Sequence, residues 1–207
     1  KNYDKSNVIS GKSGNKKWLC KEYNLDVKKP LFVFIGRLVG EKGADLFPEI
    51  FKEALAENNI SILLLGSGHE KTEEALTTIP QENFNTFIGY DEKLAHIMYA
   101  GADFLLMPSR VEPCGLNQMY SLRYGTVPIV NAIGGLKDTI IDITKENGFG
   151  VVHHGVTVEK VTSAIAKASI YFNQKEFKTN LKNIMQIDHS WGNSAQAYVN
   201  LYKSLKN

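Results

Sequence analysis

Cysteine is nearly missing from this chain: Cys20 and Cys114 are the two it has, and no short spacing links them. A disulfide framework is thereby excluded, which favours a reducing compartment. Long apolar runs are missing as well. Nothing approaches the roughly 18 residues a membrane-spanning helix needs, and the opening Lys1-Asn2-Tyr3-Asp4-Lys5 has no apolar segment of the kind a secretion signal carries. The chain reads as soluble and unprocessed, and a piece cut from a longer chain would read the same. Charge of one sign is scarce too. The formal net charge is +2 with Lys and Arg scattered among Asp and Glu, so neither nucleic acid nor a membrane surface is expected as a partner. The histidines do not make up a metal site. His153 and His154 are adjacent and on a strand would face opposite sides, while His69, His96 and His189 have no ligand spacing with a cysteine or a carboxylate pair. The Lys-Ser/Thr ending of a P-loop is missing, and Lys71 stands where Gly66-Ser67-Gly68 would need the third glycine of a dinucleotide fingerprint, which disfavours a nicotinamide enzyme.

What is present is a chain of 207 residues, 43% hydrophobic and 22% charged, long enough for one large domain with a substantial core. Residues 1–29 are polar and basic and read as a linker with a helix around 15–24, and the domain proper as 30–207. Short apolar runs at 31–35, 60–66, 86–89, 104–107, 127–130 and 150–152 read as strands. Between them lie amphipathic stretches, one capped by Asp91 and one ended by Gly125 in a left-handed conformation. Pro128 suits a strand start rather than a sheet centre. Val158, Val161, Ile165, Ala168 and Phe172 mark a further helix, and Trp191, Ala195, Tyr198, Val199 and Tyr202 a closing one, with Trp191 and Tyr198 read as core. The alternation predicts an α/β fold with a doubly wound, Rossmann-like parallel sheet, because parallel neighbours need crossover helices.

In such a sheet ligands bind outside the carboxyl ends of the strands. After the first strand, Gly36-Arg37-Leu38-Val39-Gly40-Glu41-Lys42-Gly43 carries two cations on a glycine-punctuated loop, able to converge on one anion or to sit solvated. Tyr90, behind Gly89, offers a flat face for a ring or half-packs at a strand end. After the fourth strand, Ser109-Arg110-Val111-Glu112-Pro113-Cys114-Gly115-Leu116-Asn117-Gln118 places a carboxylate beside the free N–H groups of a helix start, suited to a polyhydroxylated or phosphorylated ligand. Ile133-Gly134-Gly135-Leu136 opens another helix, as an anion or sugar site or as a plain tight turn.

Taken in order, Gly36-Arg37-Leu38 with Lys42-Gly43, Gly89-Tyr90, Pro108-Ser109-Arg110 with Glu112-Pro113-Cys114-Gly115-Leu116, and Gly134-Gly135-Leu136 closely resemble bacterial glycogen synthases and plant starch synthases. The resemblance implies the C-terminal, donor-binding half of a GT-B glycosyltransferase, retaining in stereochemistry, that binds ADP-glucose (or UDP-glucose) and elongates an α-1,4-glucan. The acceptor surface would come from an N-terminal domain outside this chain, so the chain alone would transfer little glucose. By the same resemblance Arg37 and Lys42 hold the diphosphate, Tyr90 stacks on the base and Glu112 lies beside the donor sugar. Cys114 and Gly115 contribute N–H groups to the sugar, Leu116 and Asn117 theirs to phosphate, and Gly134 and Gly135 line the opposite wall. No cofactor and no metal are implied. Tyr120 stands where the wider GT-B group has a ribose-binding glutamate, and Asn117 where this family has threonine. Two other readings stand beside it: a different GT-B sugar-nucleotide enzyme, a hexosyltransferase or an epimerase, and a non-catalytic nucleotide-sugar binding module. The default compartment is the cytoplasm, and a plastid enzyme without its transit peptide would read alike.

Overall fold

The computed structural model describes residues 1–80 and 82–206. Six parallel strands form one sheet in the order β3-β2-β1-β4-β5-β6. They are β1 Leu31–Ile35, β2 Ser61–Gly66, β3 Phe84–Ile88, β4 Phe104–Met107, β5 Val127–Asn131 and β6 Val151–His153. The crossovers are α2 Phe47–Glu57, α3 Glu70–Thr77, α4 Glu92–Gly101, α5 Asn117–Arg123 and α6 Gly134–Thr139, preceded by α1 Val8–Glu22 and followed by α7 Val158–Phe172, α8 Lys175–Ile184 and α9 Trp191–Ser204. The doubly wound reading is borne out, with the order reversing between β1 and β4. β1, β2, β4 and β5 are buried nearly throughout, as their unbroken apolar runs require of a sheet covered on both faces. Phe32 stacks on Phe104 across the β1–β4 pair at 4.8 Å, and Phe47 links Phe34 to Phe51 at 4.6 and 5.0 Å.

Several local expectations are met: Asp91 caps α4 by accepting from Leu94 N at 2.8 Å, and Gly125 follows α5 with φ 65°. Others are corrected. The first helix starts at Val8 rather than near residue 15, and it packs on α4. Its Gly11 is what seats Tyr3, whose ring lies where a β-carbon would be. Pro128 lies near the start of β5, but β5 is an interior strand, flanked by β4 and β6. Helix α8, with Phe177, Leu181 and Ile184 turned inward, was not read from the sequence. Trp191 and Tyr198 are not core: they are 89% and 61% exposed, and α9 has no buried residue. Its apolar stripe is left largely uncovered by the described residues. No described helix is long and apolar enough to cross a membrane.

At the strand starts, α1 ties the sheet together with buried polar groups. Lys16 Nζ donates to Asp103 at 2.6 Å, and the same carboxylate accepts from Leu31 N at 2.8 Å, so one anion joins α1, β1 and β4. Lys12 is buried without a carboxylate. Its amine donates to Tyr99 O, Tyr124 O and Thr126 Oγ1 at 3.3, 3.2 and 2.6 Å, where α4 and α5 end and leave carbonyls unpaired.

Burial pushes the Lys12 ammonium down to about 7. The unfolded chain keeps that proton to about pH 10.4, so between these values the unfolded state binds more protons and stability rises with pH. The rise is at most about 1.4 kcal/mol per pH unit. Urea melts from pH 7 to pH 9 are expected to show it, and Lys12→Met to flatten it. The window stops there because Cys20, whose thiol burial raises to about 11, favours the unfolded state once unfolded thiols ionise. A second expectation concerns α9: at high concentration the chain self-associates through the stripe of Trp191, Tyr198 and Tyr202, and replacing all three by Ser returns a single monomer boundary in sedimentation velocity.

Candidate functional site

β1 pairs with β2 along its whole length but with β4 only at Phe32↔Phe104 and Val33↔Leu105. Above these pairs β1 and β4 have no further rungs, and the crevice at the carboxyl ends where strand order reverses is where open α/β sheets take ligands. Asn117, at the start of α5, reaches across it: its Nδ2 donates to Ile35 O at 2.8 Å. Its side chain thus ties β1 to the turn after β4.

The loop after β1 is two single 3₁₀ turns, Gly40–Lys42 and Ala44–Leu46, hinged at Gly43 with φ 76°. A side chain at Gly43 would run into the Pro108 carbonyl, so glycine is required both for the conformation and for the close approach. Arg110 N and Val111 N donate to Glu41 O at 2.8 and 3.3 Å. The Arg110 guanidinium donates to Gly40 O at 2.6 Å and takes the Asp45 carboxylate two-pronged, at 2.5 and 3.0 Å. That pairing holds the Asp45 carboxyl below the usual carboxylate range. Between these anchors Lys42 Nζ donates to Glu112 Oε2, which also accepts from Ser109 Oγ at 3.3 Å. The Lys42 and Glu112 side chains are 23% and 11% exposed, largely out of water. Arg37 is different. Its side chain is in solvent, 3.4 Å from Glu41. Of the two cations read as converging, one is locked against Glu112 and the other stands at the loop's outer edge.

Gly115, φ 75°, makes the turn into α5, and a β-carbon there would strike the Gln118 amide. Gln118 is fully buried and shapes that turn from inside, its Nε2 donating to Cys114 O and Gly115 O at 3.1 and 2.9 Å. Cys114 and Leu116 are left exposed. Gly134 and Gly135 lie flush on the same turn: Gly135 N donates to Glu112 O and Pro113 O, both at 3.2 Å, and β-carbons at the two glycines would overlap the Glu112 and Cys114 carbonyls. The glycine pair is thus first a packing requirement. Asn131, not singled out in the sequence, holds the edge together from the end of β5. Its Nδ2 donates to Ser109 O and its Oδ1 accepts from Gly155 N, both at 2.8 Å. The signal was one polar residue closing the apolar run Val127-Pro128-Ile129-Val130. Burial pushes the His153 imidazole below its usual range, and its ring Nδ1 is hydrogen-bonded to Gly155 O at 3.0 Å, a structural role.

With β3 at one edge, the loops follow one another along the carboxyl side. Tyr90, 85% exposed, comes after β3, then Arg37 and Lys42 after β1, then Glu112 to Asn117 after β4, and Gly134-Gly135 after β5. At about 4.8 Å per strand this spans about 19 Å. It is an open face rather than an enclosed cavity. A cleft of about 990 Å³ lies elsewhere, between residues 1–5, α4 and the far end of α5, lined by Tyr3, His96 and Tyr124 near the strand starts. It contains none of the residues above.

Residues 8–183 match the family model described as Glycosyl transferases group 1. The chain belongs to this family. As a group 1 glycosyl transferase chain it is 48% identical over 207 residues to a glycogen synthase of Flavobacterium johnsoniae, covering 97% of this chain and 44% of that protein. It is 44% identical to a glycogen synthase of Fervidobacterium nodosum, covering 99% of this chain and 43% of the other. Among solved structures, the catalytic domain of starch synthase IV from Arabidopsis thaliana, bound to ADP and acarbose, superposes with a TM-score of 0.88 at 30% identity, over 98% of this chain and 44% of that one. The chain therefore spans less than half the length of these relatives. Both the family resemblance and the fold expected from it are borne out.

Gly135→Ala is expected to force the Cys114 backbone away from α6 and to destabilise the chain by about 1–3 kcal/mol, the usual cost of overpacking, as read from the urea midpoint at unchanged slope.

Proposed function

We propose that this chain is the donor-binding half of a retaining glucosyltransferase of the glycogen and starch synthase type, taking ADP-glucose to elongate an α-1,4-glucan. The observation that carries the reading is the order of groups along the carboxyl edge. An exposed aromatic face, cations, a carboxylate with free N–H groups and a glycine wall follow one another as base, diphosphate and sugar do in a nucleotide sugar. The similarity to a starch synthase structure bound to ADP supports the same nucleotide.

In this reading Tyr90 stacks on the base, and Lys42 with Arg37 neutralises the diphosphate. Negative charge grows on that leaving group as the glycosidic bond breaks, so fixed cations favour the transition state over the ground state. The diphosphate would compete with Glu112 for Lys42, freeing the carboxylate to bind a sugar hydroxyl and to favour the oxocarbenium-like centre. N–H groups of Cys114 and Gly115 point to the sugar, those of Leu116 and Asn117 to phosphate, and Gly134 with Gly135 closes the far wall. Retention would proceed by front-face attack, the departing phosphate helping to deprotonate the acceptor hydroxyl; a trapped glycosyl adduct on Glu112 would overturn that step. The glucan acceptor would be held by protein outside residues 1–207, with residues 30–207 as the donor domain, residues 1–29 entering it and the exposed stripe of α9 facing the same outside segment. The setting we propose is cytoplasmic, or plastid in a plant. On its own the chain would bind donor and transfer little glucose.

Calorimetric titration with ADP, UDP and ADP-glucose tests the reading. ADP is expected to bind in preference to UDP, an Arg37→Ala, Lys42→Ala double variant to lose binding, and Tyr90→Ala to weaken it by about 1–3 kcal/mol. Equal binding of ADP by the double variant would sink the assignment.

A further inference from the structure

We infer that Arg110 is the positioning residue of this site: by gripping both ends of the loop that carries Lys42, it fixes that ammonium at Glu112. The inference rests on the proposed reading of this edge as the donor site only for its functional consequence; the geometry stands apart from it. The loop Gly40–Asp45 has no strand or helix of its own beyond two single 3₁₀ turns hinged at Gly43, in which Lys42 N donates to Val39 O and Gly43 N to Gly40 O, both at 3.0 Å. Such a segment would not by itself hold a lysine in one place, and fixing each residue costs about 1–2 kcal/mol of backbone entropy. Arg110 supplies the restraint. Its guanidinium bonds Gly40 O, two residues before Lys42, and both oxygens of Asp45, three residues after it, while its backbone N–H bonds Glu41 O. Lys42 is bracketed on both sides by one side chain.

The chemistry of the bracket selects arginine. A planar fork can take a carboxylate with two parallel N–H bonds and still donate to a carbonyl, whereas a lysine ammonium presents a single point of charge. Arg110 follows β4 and precedes Glu112 by two residues, so the residue that fixes the cation belongs to the same turn as the carboxylate it meets. Three of its five N–H donors are taken by Gly40 and Asp45, and in this inference Arg110 acts on a ligand through Lys42, as a positioning rather than a catalytic residue.

The test reads Lys42 directly. The full chain, with Arg110→Met, Arg110→Lys, Asp45→Asn and the Arg110→Met, Asp45→Asn pair, is treated with a limiting amine-acylating ester, and the labelling rate of each lysine is followed by peptide mass spectrometry. Lys12, buried in α1, serves as the internal control for an intact fold. We expect Lys42 to label several-fold faster in Arg110→Met and in Asp45→Asn, no faster in the pair than in Arg110→Met because Asp45 acts only through Arg110, and at an intermediate rate in Arg110→Lys, with Lys12 unlabelled throughout. An unchanged Lys42 rate in Arg110→Met with Lys12 still protected would overturn the inference. So would faster labelling in Arg110→Met that Asp45→Asn does not reproduce, since Arg110 would then act by another route. If the fold control fails in Arg110→Met, Asp45→Asn alone decides, on the same two outcomes. ADP titration of the same variants separates this inference from the donor reading. About tenfold weaker ADP binding in Asp45→Asn, which removes no group from the proposed ligand face, supports both; faster Lys42 labelling with ADP binding unchanged keeps the positioning role and counts against the donor site.

Discussion

An ammonium and a carboxylate meet where β1 and β4 cease to pair, and most of the upper end of the molecule is arranged to let them. Lys42 and Glu112 are both largely removed from water, a situation that costs several kcal/mol per ion unless geometry and further hydrogen bonds offset it. The offset comes from neighbours. Ser109 adds a bond to the carboxylate, Arg110 and Asp45 hold the lysine's loop, and Gly43 lets that loop lie against Pro108 without a side chain between them. Gly135 and Asn131 then hold the carboxylate's own turn from the β5 side. Removing one partner would leave the other charge half-buried and unpaired, which is why so many contacts converge on one pair.

The lower end of the sheet does the opposite work. Asp103, Lys16 and Lys12 join α1 to the starts of β1 and β4 and to the ends of α4 and α5, and Tyr3 adds bonds to Ala100 O and Tyr124 O at 3.1 and 2.7 Å. Lys12, Lys16 and Asp103 are buried and paired, so they fix the orientation of these elements. With strand starts tied in this way, the loops at the other end are short departures from a rigid platform, and their residues can be held to a particular place.

The face so built is open to solvent. Tyr90 and Arg37 stand in solvent, Cys114 and Leu116 are uncovered, and the stripe of α9 has no buried residue. The glycogen synthases of Flavobacterium johnsoniae and Fervidobacterium nodosum are more than twice as long as the part matched here, and under the proposed reading the segment outside this chain covers these surfaces.

Much of this was legible in the residues. Unbroken apolar runs between amphipathic stretches determined a parallel, doubly wound sheet, since only crossover helices can bury such strands on both faces; and that topology alone sends the loops bearing Arg37, Tyr90, Glu112 and Gly134 to one edge. Local capping by Asp91 and Gly125 was readable too, because it depends on a few neighbouring residues. Tertiary structure decided the rest, because it turned on contacts between distant segments. It paired Lys42 with Glu112 and left Arg37 in solvent, gave Asn117 to Ile35, Arg110 to Asp45 and Asn131 to Ser109, and turned the glycine pair into a packing surface. It also placed Trp191 and Tyr198 outside the core, since helical spacing says that a stripe will face one way and not what it will face.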